Sequence, residues 1–169
     1  MINAIIKLFS DKLNIKIFEG LSDIPHFNPD LDNENPPSKV YYFRKQLTEA
    51  DGILICTREY AMGVPGTLKN AIDWTVSSME FSRNPVALIT ASTLGQKAHR
   101  SLIETLKIIE ADIPGTSQLL ISSVKTKVKD DKIIDEVTLE QVKKVIHSLM
   151  NTIEQKEGLN ESEHRSEDS

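Results

Sequence analysis

The sequence predicts an α/β protein built on a doubly wound parallel sheet, and three observations carry that expectation. Helix-period and strand-type runs alternate strictly along the 169 residues. Gly52 to Cys56 (GILIC) and Val86 to Ala91 (VALITA) are apolar without alternation, as strands are when helices cover both faces of a parallel sheet. The run from Ala50 to Trp74 leads one such strand through a loop, Thr57 to Val64, into a helix started by Pro65. Loops at the carboxyl ends of parallel strands are where this architecture holds ligands.

Taken in order, Ile2, Ile5, Ile6, Phe9 and Leu13 trace one helical face, and Lys16 to Glu19 (KIFE) then alternates briefly as a strand would. Leu21 to Pro37 is a long loop, because its Pro, Asn and Asp residues block regular structure. Ser38 is placed to cap a helix running to about Ala50. After the Gly52–Cys56 strand, a helix from Pro65 to about Met79 carries Leu68, Ile72 and Val76 as an apolar stripe. Val86 to Ala91 is the next strand, Gln96 to about Ala111 a helix, and Leu119 to Ser122 the last core strand. Lys125 to Ile134 reads as a connecting hairpin or loop. Thr138 to about Gln155 closes the fold as a helix, with Leu139, Val142, Val145, Ile146, Leu149 and Ile153 inward. Residues 1–157 thus form one domain, and Gly158 to Ser169, rich in Glu, Ser, Asn and Asp, is expected to be a disordered acidic tail.

A chain of this length buries ~70% of its unfolded surface, so neither disulfide nor metal is needed to hold it. The single cysteine, Cys56, falls inside an apolar strand run and reads as a buried structural thiol. No signal peptide and no membrane-spanning run is legible, which predicts a cytoplasmic protein. Without export, the sequon Asn160-Glu161-Ser162 has no consequence. The net charge of −5 and the dispersed Lys and Arg argue against nucleic acid as a partner. His26, His99, His147 and His164 lack metal-ligand spacing. Asp30, Asp32 and Glu34 do not make a calcium loop, because Asn35 stands at its glycine and Tyr41 at its closing glutamate. No nucleophile elbow or phosphate-binding lysine loop is present, and no catalytic acid, base or nucleophile is assigned.

Thr57, Glu59 and Tyr60, then Pro65, Gly66, Leu68, Lys69, Asn70, Ala71, Ile72, Asp73 and Trp74, fit in order a pattern T-P-E-Y-N, P-G-x-L-K-N-A-[IL]-[DE]-W. Through these residues the chain resembles the NAD(P)H-dependent FMN reductases and their quinone-, azo- and chromate-reducing relatives. It departs at Arg58, where proline is usual, and at Ala61, where asparagine is common. The resemblance implies a flavodoxin-like sheet of strand order 2-1-3-4-5 and binding of FMN and NAD(P)H. It further implies hydride transfer from the nicotinamide to flavin N5, then reduction of a small-molecule electron acceptor in the same pocket.

The family opens with an apolar strand and a loop like G-S-x-R-x-x-S-x-N, whereas this chain begins at Met1-Ile2-Asn3-Ala4 inside the equivalent of the first helix. Four core strands are therefore expected, and only Asn3 remains of the phosphate loop. The strand belongs mid-sheet, so its removal leaves a slot roughly 10 Å wide. Unpaired backbone groups there cost ~1 to 3 kcal/mol each when buried, against the ~5 to 15 kcal/mol that holds a domain. The slot is resolved if the protein begins upstream, if Lys16–Glu19 shifts to pair with Gly52–Cys56, or if another chain supplies the strand. We expect the first.

Two loops at neighbouring strand ends, Thr57 to Val64 and Ala91 to Gly95, converge on one crevice. By the resemblance they wrap the flavin ring, giving as cofactor-binding candidates Asn3, Thr57, Arg58, Glu59, Tyr60, Ala91, Ser92, Thr93 and Gly95. Backbone N–H groups near the ring would stabilise negative charge on reduction. Tyr60 packs at the flavin edge on this reading, and otherwise is a packing anchor. Glu59 either orients its loop or is a solvated charge. Arg58 either attracts a nucleotide phosphate or faces solvent. Ser92 and Thr93 are explained by N-capping of the following helix, and the family's A-S-x-x-G loop points to Gly95 as a close approach to the ligand. Lys97 and His99 fall in that helix's first turns and are expected to be exposed. Lys69 and Asp73 are spaced as an i, i+4 ion pair.

The family's helix at this position lies near a subunit contact, where Trp74 would be an anchor, and Pro25 to Asp30 (PHFNPD) resembles its P-x-[FY]-N-x-D dimer loop. A homodimer or homotetramer follows from the resemblance. A second reading is a non-catalytic scaffold or interaction subunit with weak or no FMN binding, since a lost phosphate cradle removes charge-assisted bonds.

Overall fold

A computed structural model describes residues 1–167, with side chains through Leu159. The sheet is parallel and ordered β1 (Ile53–Thr57), β2 (Val86–Ala91), β3 (Gln118–Ile121), with Ile53 opposite Val86 and Leu88 opposite Gln118. β2 reads as an unbroken apolar run because each of its faces meets a helical layer. Val86 and Leu88 pack with Ile55 against α2 (Ser38–Thr48), α3 (Gly66–Asp73) and α4 (Gln96–Ile108), through Val40, Phe43, Ile72, Leu102 and Leu106. Ala87 and Ile89 face the other way, onto Ile5 and Phe9 of α1 (Ile2–Phe9) and onto the closing helix through Val142, Val145, Ile146 and Leu149. This is the expected doubly wound architecture, with one core on each side of the sheet.

Lys16–Glu19 corrects the expected strand count. It lies in no ladder, and the parallel sheet of the described residues has three strands, not four. β1 pairs only with β2, and no strand of the described residues lies on its other side to receive KIFE. Instead Phe18 packs on α2, its ring 5.0 Å from that of Phe43 and 6.0 Å from that of Tyr42. The segment is held by an aromatic contact rather than by backbone pairing.

α3 ends at Asp73, short of Met79, so Val76 leaves the stripe and is exposed. The cause lies elsewhere in the sequence: Arg44 of α2 captures the Trp74 carbonyl through Nε at 2.8 Å and through Nη2. α2 starts one residue after Pro37, and Ser38 makes no capping bond. Lys125–Ile134, expected as a hairpin or loop, holds a hairpin of β4 (Val128–Lys129) and β5 (Lys132–Ile133), turning through Asp130 and Asp131 at positive φ, and its first residues belong to a short helix, α5 (Val124–Lys127), that was not expected.

The closing helix, α6 (Glu136–Glu167), continues past Gln155 into the stretch expected to be disordered. Adding residues to an existing helix costs less than nucleating one, and only Gly158 opposes it. Of that expected tail, Asp168 and Ser169 lie outside the described residues. Among the described residues no helix is long and apolar enough to cross a membrane.

Candidate active site

β1 and β2 run in register to Thr57 and Thr90, so their following loops emerge side by side. The first folds into a tight turn in which Tyr60 N–H donates to the Gly63 carbonyl at 3.0 Å and Gly63 N–H to the Tyr60 carbonyl at 2.9 Å. Its central residues, Ala61 at φ 47° and Met62 at φ 61°, are both left-handed, which is type I′ geometry. The turn thrusts Tyr60 and Met62 into solvent, 70% and 66% exposed.

The second loop, Ala91–Gly95, is tied to β3 on its far side. Ser92 N–H donates to the Ile121 carbonyl at 3.0 Å, and Val124 N–H returns to the Ser92 carbonyl at 3.2 Å. Leu94 at its tip is 67% exposed. Gly95 carries φ +85°, and a Cβ there would sit 2.8 Å from Leu120 Cδ1 and 3.1 Å from Ser92 Cβ. Glycine is required by the fold itself at this position, with or without a ligand.

Glu59 joins the two loops. Its Oε2 accepts from Lys97 N–H at 2.9 Å and Ala98 N–H at 3.0 Å, so the first loop caps the helix that follows the second. The Ala98 amide, followed by those of Lys97 and Gly95 and the Lys97 charge, outweighs desolvation and holds the carboxyl below the usual glutamate range. Of the two readings of Glu59, the orienting one describes its contacts. Ser92 and Thr93, expected as N-caps, are not: the residue at the cap position is Gly95, and no side chain of its own provides the bond.

Beneath these loops Thr90 Oγ1 and His99 Nδ1 lie 2.9 Å apart. His99 is therefore half-buried rather than exposed, and burial pushes its pKa down. The Arg58 side chain is exposed, and Thr57 Oγ1 makes only a long local bond, 3.4 Å, to the Arg58 carbonyl. Asn3 does not join the cluster through any side-chain bond. Its amide donates to Asp131 Oδ2 of the hairpin turn at 3.2 Å, where Lys7 also approaches at 3.9 Å. The surface hollows at Ser10–Ile15 and at Leu21–His26 beside Gly66, Thr67 and Asn70 contain none of these loop residues.

Sequence reasoning missed Met62 and Leu94 as rim residues, and Thr90 and His99 as the pair beneath. Their only signal was membership of the two loops and their flanks.

The flavin-ring half of the site fits these residues. Three exposed apolar side chains, Tyr60, Met62 and Leu94, ring the loops. The N–H groups of Arg58, Glu59, Thr93 and Leu94 find no acceptor among the described residues. The phosphate half fits poorly, since the polar side chain starting α1 is already paired with a carboxylate.

The Lys69–Trp74 stretch at the end of α3 serves the neighbouring loop. Asn70 donates to the Pro25 carbonyl at 3.0 Å and accepts from Phe27 N–H at 2.8 Å. Trp74, fully buried, donates Nε1–H to the same carbonyl at 2.8 Å and meets Phe27 edge-on. Lys69 and Asp73 form the expected ion pair.

The chain is 27% identical over 161 residues to the NADH-dependent flavin reductase subunit 2 of Lactobacillus johnsonii, covering 88% of this chain and 85% of that one. It is 31% identical over 135 residues to an NAD(P)H-dependent FMN reductase of Pseudomonas aeruginosa, covering 76% and 73%. To a quinone reductase of Escherichia coli it is 28% identical over 144 residues, covering 80% and 77%. Its fold matches that of FerB, a flavoenzyme NAD(P)H:(acceptor) oxidoreductase from Paracoccus denitrificans, with a TM-score of 0.78 over 91% of this chain and 87% of that one, at 23% identity. The family model for NADPH-dependent FMN reductase matches residues 1–126, and the chain belongs to that family of flavin-dependent oxidoreductases.

Proposed function

We propose that this chain passes reducing equivalents from NAD(P)H through FMN to a small-molecule acceptor such as a quinone, an azo compound, a metal oxyanion or free flavin. The observation that carries this reading is the Glu59 bridge, which holds two strand-end loops together beneath an exposed apolar rim. Accepting a hydride and delivering it onward is the chemistry that FMN supplies when bound. The chain's residues bind and orient: Tyr60, Met62 and Leu94 offer apolar surface, and the free N–H groups of the two loops offer donors where negative charge develops. Thr57, Arg58, Glu59, Tyr60, Ala91, Ser92, Thr93 and Gly95 form the ring site on this reading, and Asn3 stands apart.

The cytoplasm is the proposed location, and a homodimer or homotetramer the proposed assembly. The Pro25–Asp30 loop supports the assembly, being anchored on Asn70 and Trp74 while Phe27 and the adjacent Leu31 stay exposed.

The purified chain titrated with FMN should quench flavin fluorescence and then oxidise NAD(P)H in the presence of a quinone. A second reading, a scaffold without catalysis, is favoured by the pairing of Asn3 with Asp131. Absence of any flavin-dependent NAD(P)H oxidation at saturating FMN would select it.

A further inference from the structure

We propose that Lys97 is a specificity-determining residue that selects aromatic electron acceptors bearing an anionic substituent, carboxylate or sulfonate. This rests on the oxidoreductase reading of the same crevice. The Lys97 backbone N–H holds Glu59, while its ammonium reaches over the first loop to 3.4 Å from Met62 Sδ. The side chain therefore lies along the loop that presents Tyr60 and Met62, and its charge sits among exposed apolar groups. Among the described residues no carboxylate lies within ion-pair distance of that ammonium; Glu59 feels its charge but spends its oxygen on the backbone amides of Lys97 and Ala98.

The local balance is positive. Arg58 on the same loop and Arg100 one turn along α4 are exposed and make no ion pair among the described residues, so three cations stand against the charges of Glu59 and, a turn further along α4, Glu104. An apolar rim with a solvent-facing cation at its edge, bound in no direct ion pair, complements a flat aromatic body with an anion at its end. Such a charge contributes to selecting one partner over another more than to raw affinity.

Two measurements on the full chain with FMN supplied test this. In steady state, 1,4-naphthoquinone is compared with its 2-sulfonate for wild type, Lys97→Met, Lys97→Arg and Lys97→Glu. Separately, binding of naphthalene-2-sulfonate and of neutral 2-naphthalenemethanol is followed by NMR, with no electron transfer required. Lys97→Met should lower the preference for the sulfonate about tenfold in both, chiefly through KM, the scale of losing one charged partner. Lys97→Arg should retain the preference and Lys97→Glu invert it.

An unchanged preference overturns the proposal, as does a rise in KM for NADPH with the acceptor ratio intact, which would assign the charge to the nicotinamide nucleotide. Lys97-dependent sulfonate binding by an inactive wild type leaves Lys97 standing and defeats the oxidoreductase reading. Flavin-dependent activity with no sulfonate preference does the reverse. An inactive chain without sulfonate preference defeats both.

Discussion

Glu59 Oε2 lies 3.0 Å from the backbone nitrogen of Ala98, so a residue of the loop after β1 caps the helix after β2. That bond is strongest with the ionised carboxylate, whose pKa is lowered by the amides it accepts from. A group with a depressed folded pKa contributes stability above its unfolded value and loses it as pH falls through the folded one. The bridge is therefore at full strength at neutral pH and weakens only in acid, below the ordinary glutamate range. Glu59→Gln should lower FMN affinity at neutral pH and flatten the fall of Tm as pH drops below the ordinary glutamate range. Melting curves across that range for both proteins check it.

Ala61 pays for a left-handed conformation that asparagine or glycine adopts more easily. Its φ of 47° lies in a turn with Met62 already at 61°, so two consecutive residues are strained. Ala61→Asn should stabilise the protein by about 0.5 to 1 kcal/mol, seen as a higher urea midpoint at unchanged m value. An unchanged or lower midpoint would mean that the turn relaxes in solution.

Gly95 makes the opposite test. At φ +85°, with Leu120 Cδ1 only 2.8 Å from where a Cβ would stand, alanine meets both backbone strain and a steric clash. Gly95→Ala should cost about 1 to 3 kcal/mol and displace the Ser92–Leu94 loop. Urea denaturation reads the stability loss, and weakened flavin binding at a denaturant-free temperature well below Tm reads the displacement.

Much of this arrangement was legible in the sequence because it depends on neighbours in the chain. The β2 run, the start of α4 and the inward face of α6 all follow from local periodicity, and Lys125–Ile134 was legible as a hairpin or loop. What was not legible depends on partners far apart. The early end of α3 is set by Arg44, 30 positions before the carbonyl it captures. The cap on α4 comes from Glu59, 39 positions before Ala98, which is why the local candidates Ser92 and Thr93 were wrong. Lys16–Glu19 has a strand's alternation, but a strand also needs an adjacent edge, and alternation carries no information about that.

The Arg44 cluster is the most consequential of these long-range features. Arg44 Nη2 lies 2.6 Å from Asp32 Oδ1 and Nε 3.8 Å from Glu80 Oε1, with all three side chains largely buried. Burial raises the Asp32 pKa, but the Ser77 hydroxyl at 2.6 Å and the Arg44 guanidinium outweigh it, so the net direction is down. Removing the cation leaves two carboxylates facing each other with little solvent. Arg44→Met should therefore destabilise by about 3 to 5 kcal/mol, measured by urea unfolding, and Asp32→Asn by less because the amide can keep a bond to Ser77. Wild-type stability should fall as pH drops through the lowered Asp32 pKa, and this component should be missing from Asp32→Asn.

On the proposed flavin reading, the two strand-end loops offer the ring free amides and the apolar side chains of Tyr60, Met62 and Leu94. At the start of α1, where the family's phosphate loop would lead, the Asn3 amide is bonded to Asp131, and that carboxylate repels a phosphate. Charge-assisted phosphate contacts, where present, strengthen binding well beyond neutral ones. Residues 1–169 should therefore bind FMN weakly and bind riboflavin within about threefold as well, a free-energy difference of roughly 0.7 kcal/mol or less. Fluorescence titrations of both flavins decide it. Replacing Asp131 by asparagine should favour FMN over riboflavin, because it removes the negative charge beside Asn3 without touching the ring site. A strong FMN preference in the unaltered chain would show that phosphate is held by groups other than those at the start of α1.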